Sequence, residues 1–281
     1  MQTIKQRDEL TYLEVSNTLS TIKLTLQGAH IFSFKVKGKK PLLFLSETAT
    51  FKKDKAIRGG IPLCWPWFGS HPINKDQPNH GFARTFLWTH RNTQEISETK
   101  TKITLSLQSS PKSLELWPYA FELYLEIIIS DSLELSLTTK NTGNKAFSYS
   151  QALHTYLAIN DINTVILEGL KAKTYFNKLD NSYNNLQKDD LIFFEEIDRI
   201  YEDIEHALTL KDKDQDIHLF SKGSKSLVVW NPGKYFSNNF SDLHTHKTML
   251  CLESANVLHD TILLQAGNEH TLSCKIDQVP C

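Results

Sequence analysis

Apolar and polar residues alternate with a period of two through much of this chain, a pattern that suits a half-buried β-strand and not a helix. Ile22, Leu24 and Leu26 alternate with Lys23 and Thr25, Phe32, Phe34 and Val36 with Ser33 and Lys35, and Ile103, Leu105 and Leu107 repeat the scheme. Phe121, Leu123, Leu125, Ile127 and Ile129 lead through the turn residues Ser130-Asp131-Ser132 into Leu133, Leu135 and Leu137, which predicts a hairpin. Further strands are expected at 226–230, before Asn231-Pro232-Gly233, and at 248–252, 261–264 and 272–276. Many short strands in succession predict an all-β, antiparallel sandwich. Helical spacing arises at 192–204, where Ile197, Ile200, Tyr201 and Ile204 would share one face. Taken by itself, that acid-rich segment reads as a solvated helix.

Strand patterns resume at once on either side of the polar tracts 180–190 and 211–216. Those tracts read as surface loops or hairpin tips inside a single domain, 1–281, and not as linkers. With 31 Lys+Arg against 32 Asp+Glu, the net charge is −1, so no overall basic field exists to attract nucleic acid or anionic lipid. The polar start, Met1 to Leu10, lacks the apolar core of a signal peptide. The densest apolar run, 121–129, is cut by Glu122 and Glu126 and falls short of the roughly 20 residues that span a bilayer. Cys64, Cys251, Cys274 and Cys281 are too sparse for a disulfide framework. A cytoplasmic protein with no nucleic-acid or membrane partner is expected.

Glycine, proline and tryptophan are scarce, yet three of the 11 Gly, two of the nine Pro and two of the five Trp fall within Ile57 to Gly69. Pro62 and Pro66 exclude a regular helix or central strand there, and Gly59-Gly60 permits close backbone approach. Trp65 and Trp67 read as packed core or as ligand contacts. Arg58, beside the glycines, suits an anion, because a guanidinium grips phosphate or carboxylate through two parallel hydrogen bonds. Asn79-His80-Gly81-Phe82-Ala83-Arg84 is a second polar cluster, either a ligand loop or a surface loop whose Arg pairs with an acid. His154 lies inside an apolar run and Glu253 at the end of one; each is a buried polar group that needs a partner or a function. If the two meet, they form an acid–base pair for work near neutral pH. His244-x-His246 with Asp242 nearby lacks a third ligand at recognisable spacing and is read as a polar loop, not a metal site. No phosphate loop, dinucleotide fingerprint or Gly-x-Ser-x-Gly elbow occurs.

In order along the chain stand Arg58-Gly-Gly-Ile-Pro-Leu-Cys-Trp-Pro-Trp-Phe-Gly69, His80-Gly-Phe-Ala-Arg84, Leu153-His154-Thr-Tyr156, Asp198-Arg199-Ile-Tyr201, Trp230-Asn-Pro-Gly233 and Leu252-Glu253. This set resembles the glucose-6-phosphate 1-epimerase (hexose-6-phosphate mutarotase) family of the aldose 1-epimerase superfamily, over about residues 20 to 275. The resemblance implies a galactose-mutarotase-like antiparallel β-supersandwich with a sugar cleft, and it moves 198–201 from helix to sheet and loop. It implies an isomerase that interconverts the α and β anomers of hexose 6-phosphates, with Glu253 and His154 as catalytic base and acid. Arg58 and Arg84 would hold the phosphate, Asn79 would be a variable polar contact, and His80 and Asp198 would bind the sugar ring. No cofactor and no metal is implied, the hexose 6-phosphate is the partner, and a monomer is expected. A sugar-binding module without catalysis and an epimerase of free aldoses remain as alternatives.

Overall fold

The computed structural model describes residues 1–237 and 241–280. Its strands form four antiparallel sheets. A four-stranded sheet runs through Gln2–Arg7, Leu10–Ser16, Ser20–Thr25 and Ile31–Val36 in chain order. A nine-stranded sheet is built around Phe121–Ile129, Ser132–Asn141 and Glu269–Pro280, and the predicted hairpin closes with Ile129 opposite Leu133. A two-stranded sheet pairs Phe147–Tyr149 with Ile262–Leu264. Alternation decides which faces meet: Leu123, Leu125, Ile127, Leu133, Leu135 and Leu137 are all buried in the main core, while residues between them stay half-buried.

The seven-stranded sheet carries the candidate site. Its order is Ser182–Leu186, Thr174–Asn177, Ile197–Tyr201, Ser226–Asn231, Met249–Asn256, Gln151–Ala158 and Leu63–Cys64. Its central strands are buried on both faces, for different reasons. Leu153, Leu157, Leu250, Leu252, Leu227, Val229, Ile197 and Tyr201 point into the main core. The opposite face carries two small apolar clusters, one around Ala152, Ile200, Val228 and Ala255 and the other around Tyr156, Met249 and Cys251. The polar groups of interest sit on that face.

Several expectations change here. Residues 192–204 form no helix: Ile197–Tyr201 is a strand between Thr174–Asn177 and Ser226–Asn231. Burying both faces of a strand puts apolar residues at spacings that mimic a helix stripe. The tract 180–190 is not wholly loop, because Ser182–Leu186 forms an exposed edge strand. Lys213-Asp214 is the expected hairpin tip, with strand pairing running up to Asp212 and Gln215. The strand holding Glu253 runs on through Asn256, where Ser254 bonds Ser221 (2.6 Å) and Asn256 bonds Gln151 (2.9 Å), so these polar residues are buried with partners. Cys64, Cys251 and Cys274 are buried and unpaired, and Cys281 lies outside the described residues. Helices are short among the described residues, and none is long and apolar enough to cross a membrane.

Trp65 and Trp67 are core residues. Trp65 meets Phe82, Trp117 and Phe121 at ring-centroid distances of 5.6, 5.0 and 4.4 Å. This packing anchors the segment 57–69, and the second polar cluster is tied to it: His80 donates its N–H to the Gly69 carbonyl (2.6 Å), and Phe82 donates to the Trp65 carbonyl (3.1 Å). The approach is so close that a Cβ on Gly81 would collide with the Trp65 carbonyl, and Gly81 also holds φ at 72°.

Candidate active site

Strand register brings the two candidate catalytic residues together. His154 lies directly opposite Glu253 in the antiparallel pairing of Gln151–Ala158 with Met249–Asn256. Side chains at such positions share a face with Cβ atoms about 5 Å apart. Nε2 of His154 stands 3.4 Å from Oε1 of Glu253, and the two side chains are 11% and 1% exposed. The other Glu253 oxygen, Oε2, is buried without a hydrogen-bond partner. Across the sheet, the row continues from Glu253 to Val228 and Ile200, an apolar floor. The next row holds Tyr156, Cys251, Trp230 and Asp198. Tyr156 stacks on His154, with centroids 4.8 Å apart and planes 9° from parallel, and Trp230 meets His154 edge-on.

Two loops and a hairpin wall this face. The segment after Arg58 runs beside the His154 strand: Tyr156 donates its N–H to Gly60 (2.9 Å) and His154 donates to Pro62 (3.1 Å). Arg58 therefore reaches the site, where Nε donates to Asp242 Oδ1 (3.1 Å) and Nη1 to the Tyr156 hydroxyl (3.2 Å). Arg84 donates to the Asn79 carbonyl (2.7 Å), so this Arg is held by backbone and not by the acid that a plain surface loop would supply. Nδ1 of His80 accepts the Gly69 N–H (3.3 Å). That bond places the ring proton on Nε2 and makes His80 a hydrogen-bond donor at that nitrogen.

All seven residues singled out in the sequence, Arg58, Asn79, His80, Arg84, His154, Asp198 and Glu253, line one cavity of about 530 Å³. Lys178 and Asp242 line it too. Lys178 belongs to no motif and follows a strand whose pattern is weak, so sequence reasoning passed over it. In sequence Asp242 stands out only beside His244 and His246; the loop carrying the three has no regular strand, and its acid turns to Arg58. A larger cavity of about 720 Å³ lies apart, and its charges make exposed pairs such as Lys112–Asp54 (3.5 Å). Every ionisable side chain that lines it is exposed.

Burial controls protonation in the cleft. It pushes the Glu253 carboxyl well above its usual range, with Lys178 and Arg84 acting against it and Asp198 adding to it. It pushes the His154 imidazole well down, helped by His80, Arg84 and Arg58. Burial thus favours the uncharged forms of both. His80 is pushed down to about 3 by burial and then by Arg84, and stays neutral. Asp198 is raised by burial, while Lys178 opposes the rise. Among the described residues, one group of candidate ligand atoms converges, that of His154, Cys251 and Glu253, within 4.8 Å of one another. Burial pushes the Cys251 thiol up, so it stays a protonated sulfur, two residues along the strand from Glu253.

Residues 12–277 match the family model for aldose 1-epimerase. A protein of Cenchrus ciliaris named as a candidate glucose-6-phosphate 1-epimerase is 35% identical over 271 residues, covering 92% of this chain and 81% of that one. One of Escherichia coli K12 with the same name is 31% identical over 256 residues, covering 89% and 85%. The crystal structure of a candidate mutarotase from Salmonella typhimurium superposes with a TM-score of 0.93 at 28% identity, covering 100% of this chain and 94% of the other. A family match over nearly the whole chain agrees with relatives and fold, and the chain belongs to the aldose 1-epimerase family.

Proposed function

We propose that this protein interconverts the α and β anomers of hexose 6-phosphates, glucose 6-phosphate first among them. The observation that carries the reading is the convergence of Glu253 and His154, buried and 3.4 Å apart, in a cleft that Arg58 and Arg84 also line. Opening a cyclic hemiacetal moves two protons at oxygens on one carbon. Glu253 takes the proton of the C1 hydroxyl, the bond from C1 to the ring oxygen breaks, and His154 delivers a proton to that oxygen. The product is an open-chain aldehyde. After rotation about C1–C2 the protons run the other way and the ring closes on the opposite face. Carboxylate with imidazolium and carboxylic acid with neutral imidazole hold the same number of protons, so the pair passes between them without exchange with solvent. A positioned acid and base each contribute about 10²–10⁴-fold, ample for a reaction that water already supports.

Arg58 and Arg84 are the proposed phosphate grip, and Asn79, His80 and Asp198 the proposed sugar contacts. The buried, unpaired cysteines agree with a reducing cytoplasm. The deciding experiment follows β-anomer formation from freshly dissolved α-glucose 6-phosphate with a β-specific coupled assay. Acceleration proportional to enzyme is expected; binding of the sugar with no change in its equilibration rate would leave a carbohydrate-binding module instead. Arg58→Ala and Arg84→Ala are each expected to raise KM for glucose 6-phosphate about 10–100-fold, the cost of losing a charge-assisted contact. Their effect on free glucose should be small. Equal losses on both sugars would point to an epimerase of free aldoses.

A further inference from the structure

Among the described residues of the cleft, Lys178 is a cation fixed from two sides. Its ammonium donates to Asp198 Oδ2 at 2.6 Å, and its backbone N–H donates to the Asp198 carbonyl at 2.9 Å. The same ammonium stands 5.4 Å from the centroid of Phe68, a ring of the Gly- and Pro-rich segment that also packs edge-on against His80. The second carboxylate oxygen, Asp198 Oδ1, is buried and has no hydrogen-bond partner. A carboxylate held by one oxygen keeps the other as an acceptor of fixed direction. If Asp198 were protonated, that direction would be lost.

The remaining ionisable groups leave this duty to Lys178. His80 stays neutral, and burial keeps the Cys251 thiol and the Tyr156 hydroxyl protonated. Arg58 is engaged by Asp242 and Tyr156, and Arg84 by the Asn79 backbone. Asp198 then bears on Glu253 as a negative charge that Lys178 directly pairs.

We propose that Lys178 is a positioning residue of this site: it holds the Asp198 carboxylate by one oxygen, leaves the other for a sugar hydroxyl, and supplies the positive charge that keeps Asp198 from opposing ionisation of Glu253. This role deepens the proposed anomer interconversion and rests on it. Removing the cation favours proton binding at every neighbouring group, so the sign is fixed: Glu253 releases its proton at higher pH.

The test uses Lys178→Met and Lys178→Arg with two readouts. In ligand-free protein, infrared titration follows the protonated-carboxyl band of Glu253, identified by its disappearance in Glu253→Gln. Steady-state kinetics follow glucose 6-phosphate anomerisation against pH. Lys178→Met is expected to titrate Glu253 at higher pH than the wild type, to move the pH–rate profile the same way, and to lose about ten-fold in kcat/KM at pH 7. Lys178→Arg is expected to restore both pH positions. A Met variant whose infrared midpoint and pH profile match the wild type overturns the inference, even if its activity falls. Wild-type protein inert toward glucose 6-phosphate removes the proposed reaction, and the infrared midpoint then decides the Lys178 contact alone.

Discussion

Glu253→Gln is expected to turn over glucose 6-phosphate at least about 10²-fold more slowly than the wild-type chain, with KM little changed. Glutamine keeps the shape of the side chain and cannot accept a proton at the C1 hydroxyl. The substitution is also gentle on the fold. Glu253 is 1% exposed and burial already favours its uncharged form, so a neutral amide suits the site at least as well as a carboxylate. The variant should therefore unfold at the wild-type temperature or above it. Polarimetry or the β-specific coupled assay measures the rate, and calorimetry checks the fold. Wild-type kcat in a folded Gln variant would take Glu253 out of the reaction.

Trp65→Ala is expected to cost about 3–5 kcal/mol of stability, with Tm lower by about 10 °C. Trp65 is fully buried, and its ring is wrapped by Phe82, Trp117, Phe121 and Tyr149, so the deletion leaves a cavity that rigid aromatic neighbours fill poorly. The effect should extend to activity. The Trp65 carbonyl holds the amides of Phe82 and Ala83, and its own amide is held by His80, so a loosened Trp65 lets His80 and Arg84 drift together. Denaturant melts measure the first effect and kcat/KM at low temperature the second. A loss under about 1 kcal/mol would mean that the segment is held by its backbone and not by this ring.

The sandwich was legible because half-buried strands such as Phe121–Ile129 print one apolar face on every second residue. The sheet that floors the cleft was harder to read. Both faces of Met249–Asn256 and Gln151–Ala158 are buried, so polarity does not say which residues face the core and which the cleft. Ile197–Tyr201 suffered the same loss and took on helical spacing. Six motifs drew attention to residues that line one cleft, but register alone puts His154 opposite Glu253, and no local pattern encodes register between distant strands. Lys178 was invisible for another reason. A lysine after a short, half-buried strand is ordinary surface until Asp198 is seen beside it.

The pairing of 151–158 with 249–256 also sets when the cleft is complete. Between those strands the chain makes a long excursion that supplies strands to two sheets. Closing so large a loop is entropically costly, and topologies dominated by distant pairings fold slowly. Local hairpins such as 121–141 can form early and restore much of the β signal, yet they contain neither member of the pair. During refolding, return of the circular-dichroism spectrum should therefore run ahead of return of turnover. On the ribosome, His154 cannot meet Glu253 until residues 249–256 have emerged, so the proposed activity would serve as a clock for the completion of this topology.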